Sequence, residues 1–143
     1  MKVFEFAIYS YIAKKYNDMF DELIKKYQIT QIEINVLAFL ANNPEYQHAQ
    51  DIVNIRGISK GHASIAIEKL VQKGLITRQC DPQNRRCNIL LITDKATDLI
   101  KEIQDIQKQF TKLKFSHLTQ EEITIYQNIL TKIYKNLGGY VDE

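Results

Sequence analysis

The sequence predicts a mainly α-helical fold in which one two-stranded hairpin interrupts a series of helices. Apolar residues recur at intervals of three and four through most of the 143 residues, as they do along one face of a helix. One stretch departs from this spacing: LITRQC and CNILLI are rich in strand-forming residues, and DPQNRR between them contains turn residues. Five glycines and two prolines are too few for an all-β or loop-rich protein. We therefore expect one domain of helices with a single hairpin.

The N-terminal helices have recognisable boundaries. Apolar and aromatic residues at helical spacing predict one long helix over residues 3–27. Thr30 followed by Glu33 forms the pattern of a capping box, so a second helix is expected to begin there. This helix should end near Ala41, because Pro44 cannot continue a helix.

Two further helices precede the hairpin. The first is short, over residues 49–56, and it is followed by Gly57, the residue type that most often ends a helix. Ser59 is a typical N-cap for the second, which is expected to extend to Lys73. Two helices joined by this tight turn form a helix-turn-helix, and the two-stranded hairpin after them makes it a winged helix-turn-helix.

The C-terminal part predicts two long helices. Thr93 is expected to cap the first, and Thr119 with Glu122 forms a second capping box that opens a last helix ending near Leu137. Apolar residues at heptad spacing follow both helices and favour helix-on-helix contacts. These residues are Leu99, Ile103, Ile106, Phe110 and Leu113, then Ile123, Tyr126, Leu130, Ile133 and Leu137.

So much apolar helix surface exceeds what the compact helix-turn-helix can cover, and it favours a homodimer built from both ends of the chain. An intramolecular helix bundle is the alternative. The resulting organisation is one domain over residues 1–143, with long N- and C-terminal dimerisation helices at 1–29 and 94–143. The winged helix-turn-helix lobe then occupies residues 30–93.

Positive charge is concentrated in one segment. Residues 56–86 contain seven basic and two acidic residues, a balance of +5, and they include all four arginines: Arg56, Arg78, Arg85 and Arg86. The rest of the chain carries 12 basic and 15 acidic residues. A basic segment on a slightly acidic body is typical of a protein that binds phosphates, and the alternative is an ordinary solvated face.

The helix SKGHASIAIEKLVQK divides into two faces at 100° per residue. The face expected to be buried consists of Ala63, Ala66, Ile67 and Leu70. In a major groove the N-terminal turns of a helix reach the bases, so the candidates for DNA contact are Lys60, Gly61, His62, Ser64 and Ile65. We expect Ile65 either to contact a thymine methyl group or to pack against the hairpin or a neighbouring helix. We expect His62 to contact the groove or a phosphate rather than a metal ion.

The hairpin tip carries Arg85 and Arg86. A tip beside such a helix lies near the adjacent minor groove, where the strongly negative potential favours arginine. Both residues, together with Arg78 of the same basic segment, are therefore candidates for DNA contact. Arg85 has two alternatives, a phosphate contact or an ion pair with Asp81.

Cys80 and Cys87 flank the predicted tip, and two hypotheses are open for them. If they face each other across the strands, oxidation to a disulfide would stiffen the hairpin and alter DNA affinity, which would make the protein a redox-responsive regulator. Otherwise they are reduced structural cysteines of a cytoplasmic protein. Two cysteines supply too few ligands for a zinc knuckle.

Other classes of function lack their motifs. We find no nucleophile–base pair, no Gly-rich phosphate loop and no paired metal ligands, so we expect no enzyme, no cofactor and no metal. No segment approaches the ~20 apolar residues of a membrane helix, and the N-terminus lacks a signal-peptide cleavage site, which predicts a cytoplasmic location. A winged helix used only for protein–protein contact is the remaining alternative, and the clustered arginines argue against it.

Three segments resemble the MarR-type (multiple antibiotic resistance regulator) winged-helix transcription factors: ISKGHASIAIEKLVQKGLITR, DPQNRR and LLITDKA, in the family's order and spacing. The resemblance extends over nearly the whole chain. It implies a homodimeric repressor of transcription that binds a pseudo-palindromic operator in double-stranded DNA, with release in many members by a small aromatic ligand. It also implies DNA contacts from Ser59, Lys60, His62 and Ser64, and a minor-groove contact from Arg86.

Three residues depart from the family pattern. Asn84 stands where the wing commonly has Asp, which weakens an ion pair that stabilises the tip. Ile65 stands where many members have a polar or basic residue, and His48 replaces the usual Thr or Ser at the start of the short helix. The family's ligand cavity lies between the dimer helices and the DNA-binding lobe. Five aromatic residues are available to line it: Tyr9, Tyr11, Tyr16, Phe20 and Phe39.

Overall fold

The computed structural model describes residues 4–139, except for the side chains of Arg85 and Cys87. The helices in this range are α1 (Glu5–Asp18), α2 (Asp21–Tyr27), α3 (Gln31–Asn42), α4 (Ala49–Asp51), α5 (Lys60–Gln72), α6 (Thr97–Lys114) and α7 (Gln120–Asn136). The strands β1 (Ile76–Asp81) and β2 (Asn84–Ile92) pair as an antiparallel hairpin between α5 and α6. The mainly α, winged helix-turn-helix fold is therefore confirmed.

The single long helix predicted over residues 3–27 is wrong. The chain turns at Met19 and Phe20, which lie between α1 and α2. Phe20 is fully buried, and its ring lies edge-on to that of Tyr16 with 4.9 Å between the centroids. Burying a large apolar side chain stabilises a fold by about 1.5–3 kcal/mol. This gain exceeds the tenths of a kcal/mol per residue that helix propensity contributes, so tertiary packing decides where the helix breaks.

The capping box predicted at Thr30 is confirmed. The Thr30 hydroxyl oxygen accepts the backbone N–H of Glu33 at 3.2 Å, and the Glu33 carboxylate accepts the backbone N–H of Thr30 at 3.2 Å. The helix that begins here, α3, is the centre of the core and packs against α5, α6 and the hairpin. Its buried apolar residues are Ile34, Val36, Leu37, Ala38, Phe39 and Leu40.

The helix-turn-helix is also confirmed, although its first helix is irregular. Helix α4 continues directly into a π-helical turn, Ile52–Arg56, and Gly57 ends it with φ +78°, a left-handed conformation that glycine adopts without a Cβ clash. Helix α5, which we call the recognition helix, begins after the predicted N-cap Ser59. All four residues of its predicted apolar face are buried: Ala63, Ala66, Ile67 and Leu70.

The hairpin, called the wing from here on, has a shorter tip than predicted. Its register runs from Ile76 opposite Ile92 to Cys80 opposite Asn88, then shifts so that Asp81 faces Asn84. The six-residue tip DPQNRR is therefore wrong, because the strands extend into it and leave a turn of two residues. Asp81 stabilises this turn by accepting the Gln83 backbone N–H at 2.9 Å.

Thr93 does not cap α6 as predicted. Its hydroxyl donates to the Gly74 carbonyl oxygen at 2.6 Å, and a 3₁₀ turn, Asp94–Ala96, precedes the helix. This contact joins the end of the wing to the end of the recognition helix. The Thr93 side chain therefore stabilises the packing of these two elements and does not cap α6. The second capping box, Thr119 with Glu122, is confirmed at the start of α7.

The two ends of the described chain leave apolar surface exposed. Helix α6 buries Leu99 and Ile103 of its heptad series, whereas neither α1 nor α7 buries any residue. The exposed large apolar side chains on these two helices and beside them are Phe4, Phe6, Ile8, Tyr9, Tyr11, Ile125, Ile129, Leu130, Ile133, Tyr134 and Leu137. None of the described helices is long and apolar enough to span a bilayer.

Candidate nucleic-acid interface

The N-terminus of the recognition helix is an exposed polar surface. Ser59 caps it by accepting the His62 backbone N–H at 3.3 Å, and the same hydroxyl lies 2.8 Å from Nδ1 of the His62 ring. The ring is thereby oriented beside the free N–H groups of the first turn. Lys60 is exposed next to it, so a positive side chain and the positive end of the helix dipole face solvent together.

The outward face of the recognition helix has room for a ligand to approach. A Cβ atom placed on Gly61 would meet no atom within 4 Å, and Ser64 is exposed on the same side. Ile65 is 63% exposed and contributes to the wall of a cleft of about 430 Å³ that also contains Ile32 and Lys69. At this exposure Ile65 is not buried against the wing or a neighbouring helix, and its contact with a thymine methyl group stays a prediction.

A second cleft, of about 310 Å³, lies between α4, the recognition helix and the wing. It brings three predicted DNA-contact residues to one place, Ser64 from the helix and Arg78 and Arg86 from the two strands. His48 and Asn88 also line it. Two arginines of the basic segment therefore lie beside the recognition helix, because the wing folds back next to it.

Arg78 is paired within the protein. Its Nη2 atom donates to Oε2 of Glu68 on the recognition helix at 2.7 Å, and both side chains are partly exposed. The hydrogen bond from Arg78 is the main reason that the pKa of the Glu68 carboxyl is lowered, with the opposite charge adding to it. The sequence analysis missed this pair. Opposite charges on the outer face of a helix and on the next strand were the only available signal.

Arg86 is exposed on β2 near the tip. Its backbone N–H donates to Oδ1 of Asn84 at 3.1 Å, so the backbone that carries it is fixed to the turn. Arg85 precedes it on the same strand, and its side chain lies outside the described residues, as does its predicted ion pair with Asp81. Asp81 instead faces the imidazole of His48, with 2.9 Å between Oδ2 and Nε2.

Asp81 is a charged group at the point where the wing meets the helical lobe. The pKa of its carboxyl is lowered first by the backbone N–H of Gln83 and then by the His48 ring. His48 also lies beside Asp51, whose carboxylate accepts the His48 backbone N–H at 3.0 Å. Sequence analysis identified His48 only as an unusual N-cap residue, because the 33 residues that separate it from Asp81 conceal the contact.

A buried ion pair supports the other side of the recognition helix. Lys73, at its C-terminal end, donates to Oε1 of Glu33 at 2.5 Å and to the Gln28 carbonyl oxygen at 2.8 Å. Glu33 is only 3% exposed, so the lysine provides the countercharge that its carboxylate needs. This contact holds the C-terminal end of the recognition helix against the start of α3.

The cysteines do not form the directly opposed pair on which the redox hypothesis was based. The Cα partner of Cys80 across the hairpin is Asn88, and Cys80 is an exposed free thiol. The side chain of Cys87 lies outside the described residues. Among the described residues, no group of three His, Cys, Asp or Glu side chains is arranged to hold a metal ion.

The aromatic residues considered for a ligand cavity separate into three environments. Tyr9 and Tyr11 are exposed on α1, whereas Phe20 is part of the core. Tyr16 and Phe39 line a small cavity of about 130 Å³ between the helical ends and the lobe, with polar side chains around it. Those polar residues are Asn35, Asn42, Asn43, Arg56 and Gln107.

Two comparisons with known sequences find similar proteins. The model of the MarR family matches residues 27–86, which contain the helix-turn-helix and most of the wing. The HTH-type transcriptional regulator MhqR of Bacillus subtilis (strain 168) is 26% identical over 131 residues, which are 92% of this chain and 90% of that protein.

Solved structures show the same fold. A MarR family transcriptional regulator from Listeria monocytogenes, complexed with 26mer DNA, matches 100% of both chains with a TM-score of 0.81 and 21% identity. The S. aureus MepR–DNA complex matches 94% of this chain and 96% of that chain with a TM-score of 0.80 and 20% identity. At these identities the structural likeness establishes the fold.

Proposed function

We propose that this chain is a DNA-binding transcriptional regulator of the MarR family, whose model matches residues 27–86. In this proposal it is a homodimeric repressor that a small aromatic ligand releases from its operator. One observation carries the proposal: Ser64 on the exposed face of the recognition helix and Arg78 and Arg86 of the wing line one cleft. A surface of this shape matches a major groove and the minor groove next to it.

Each predicted residue has a role suited to its position. Lys60 and the N–H groups of the first turn would bind phosphate, and Ser59 and His62 would contact the groove beside them. Gly61 would let the helix backbone approach the DNA closely. Ser64 and Ile65 face outward, where the edges of the bases would lie.

On the wing, Arg86 and Arg85 would enter the minor groove, and Arg78 would contact DNA from the base of the strand.

The exposed apolar surface of α1 and α7 supports the dimer. A monomer with this many exposed large apolar side chains on its terminal helices would leave a large apolar area in water, and contact between two copies would bury it. We propose that residues 1–29 and 94–143 form this interface and that residues 30–93 form the DNA-binding lobe. Two lobes related by a two-fold axis require a pseudo-palindromic site in double-stranded DNA.

Ligand release and location are further parts of the proposal. The cavity at Tyr16 and Phe39 lies where helical ends meet the lobe and combines aromatic with amide and guanidinium groups. A small aromatic effector with polar substituents would contact these rings and polar groups, and the cavity of about 130 Å³ would have to widen to admit it. We also propose a cytoplasmic location, where such a regulator would meet chromosomal DNA.

The test begins with selection of bound sequences from random duplex DNA, followed by fluorescence anisotropy at several salt concentrations. We expect Arg86→Ala to weaken binding by about 1–3 kcal/mol, the typical loss for one arginine contact, and the control Lys132→Ala on α7 to have no effect. A steep fall of affinity with salt is expected from released counterions. Absence of binding to any duplex at low salt would reject DNA binding, and sedimentation near 17 kDa would reject the dimer, since one chain has a mass of 16.7 kDa.

A further inference from the structure

Two contacts attach the wing to the residues just before α4, one toward its base and one near its tip, in addition to the Arg78–Glu68 pair that joins it to the recognition helix. At the base, the Leu90 backbone N–H donates to the Gln47 carbonyl oxygen at 2.8 Å. Near the tip, Nε2 of His48 lies 2.9 Å from Oδ2 of Asp81. Because Leu90 is opposite Arg78 in the register, the two attachments are three residues apart on β1, or about 10 Å along the strand.

We infer that His48 is a positioning residue for DNA binding, because its contact with Asp81 fixes the angle of the wing and thereby the position of Arg86. The inference rests on the proposed DNA-binding function. A hairpin attached only at its base can pivot about that attachment, since a two-stranded ribbon has little stability of its own. A second attachment near the tip removes this freedom.

His48 is itself fixed on the lobe. Its backbone N–H donates to Oδ2 of Asp51 at 3.0 Å, and Nδ1 of its ring lies 3.4 Å from the same oxygen. The backbone N–H of His48 therefore helps to begin α4, and Nε2 of its ring remains free to contact Asp81 of the wing. The charged groups around the imidazole are Asp51 and Asp81, with Arg78 and Arg86 across the shared cleft.

Asp81 is aimed at His48 by the wing's own irregularity. The register shifts between Cys80 and Asp81, and such a bulge redirects the side chain that follows it. One carboxylate oxygen accepts the Gln83 N–H and closes the turn, while the other faces the imidazole. The carboxylate is only 14% exposed, which is low for an acidic side chain at a hairpin tip. One side chain thus joins the turn to the lobe.

The contact extends from Asp81 to the arginine. Asn84 lies opposite Asp81 in the register, and its side-chain oxygen accepts the backbone N–H of Arg86. A chain of contacts therefore leads from the first helix of the helix-turn-helix to the basic residue of the wing. It passes through His48, Asp81, Asn84 and Arg86. A wing released at His48 would carry Arg86 away from its place beside the recognition helix.

Three substitutions of His48 separate its two ring nitrogens. Gln places an amide nitrogen near the position of Nε2, Asn places one near Nδ1, and Ala removes both. We expect His48→Gln to bind the selected operator within about twofold of the unchanged protein, because it can still donate to Asp81. His48→Asn and His48→Ala should bind roughly tenfold more weakly, the effect of one hydrogen bond to a charged group. Glu45→Gln, an exposed residue in the loop before α4, is the control and should bind normally.

A double-mutant cycle tests whether His48 acts through Arg86. In an Arg86→Ala background, His48→Ala should cause less than a twofold further loss, whereas a general structural role would give the same loss in both backgrounds. Without DNA, amide hydrogen exchange in residues 80–88 should be faster in His48→Ala and unchanged in His48→Gln.

The outcomes distinguish this inference from the proposed function. Two results would show that His48 does not position the wing, provided that the unchanged protein binds DNA. One is equal operator affinity of His48→Gln and His48→Asn. The other is a double mutant whose loss of affinity equals the sum of the losses from His48→Ala and Arg86→Ala. If the unchanged protein binds no duplex, the proposed function fails, and the exchange measurement still reports on the contact. Far-ultraviolet circular dichroism would verify that each variant is folded.

Discussion

The guanidinium of Arg78 on the first wing strand donates to the carboxylate of Glu68 on the recognition helix at 2.7 Å. The pair joins the first wing strand to the exposed face of the recognition helix, and both elements belong to the proposed DNA-binding surface. It also neutralises one of the arginines that would otherwise face phosphate, and it leaves a carboxylate where DNA would approach. In the free protein the Glu68 carboxylate thus competes with DNA phosphates for Arg78.

Replacement of Glu68 tests that competition. We expect Glu68→Gln to bind the operator more tightly than the unchanged protein, because Arg78 is released and one negative charge is removed. The slope of log affinity against log salt should steepen by about one phosphate contact. Anisotropy titrations at four or more salt concentrations would measure both, with Glu121→Gln on α7 as the control. Weaker binding with an unchanged slope would mean that Glu68 serves to orient the wing.

Ile65 is expected to influence sequence preference and not stability. Because its side chain is largely exposed, Ile65→Ala should change the free energy of unfolding by less than about 0.5 kcal/mol. If Ile65 contacts a thymine methyl group, the variant should lose preference at one base pair of the selected site. The same substitution at the neighbouring buried Ile67 should cost about 2–5 kcal/mol, which checks the stability assay. An Ile65→Ala variant that selects the same consensus would exclude the methyl contact.

The buried carboxylate of Glu33 depends on Lys73. In Lys73→Met the carboxylate keeps its burial and loses its countercharge, so we expect the free energy of unfolding to fall by about 3 kcal/mol. Lys69→Met, an exposed position one helical turn earlier, should change it by less than about 0.5 kcal/mol. Urea denaturation followed by circular dichroism would compare the two. Equal stability of both variants would show that other groups satisfy Glu33.

Glu102 makes the packing of α2 on α6 sensitive to acid. Lys26 donates to its carboxylate at 2.7 Å, and the Tyr27 hydroxyl donates to its other oxygen. The pKa of Glu102 is lowered first by Lys26 and then by Tyr27, from an ordinary value of 4.5. A lowered pKa in the folded state means that the carboxylate stabilises the fold above that ordinary value. The contribution is lost as the pH falls through the folded pKa.

The unchanged protein should therefore lose more stability between pH 6 and pH 3 than Glu102→Gln, whose side chain does not titrate. Thermal unfolding at several pH values would measure the difference, with Glu45→Gln as an exposed control. Parallel losses in Glu102→Gln and the unchanged protein would contradict the assignment.

The sequence by itself determined the features that depend on neighbouring residues. The capping boxes at Thr30 and Thr119 and the cap at Ser59 join atoms three residues apart, so the residue types alone predict them. The buried face of the recognition helix follows from its periodicity in the same way. The concentration of arginines predicted a basic surface. The faces of the recognition helix and the place of the hairpin supplied most candidates for DNA contact, and the family resemblance added Ser59.

Only the tertiary structure decided the break at Phe20, the two-residue wing turn and the partners of the charged side chains. The pairs Arg78–Glu68, His48–Asp81 and Lys73–Glu33 join residues that are 10, 33 and 40 positions apart. Each side chain could have met several others, and the packing of α3, the recognition helix and the wing selects one. Local hydrogen bonds are specified by spacing along the chain, whereas an ion pair between elements exists only after the core has fixed where those elements lie.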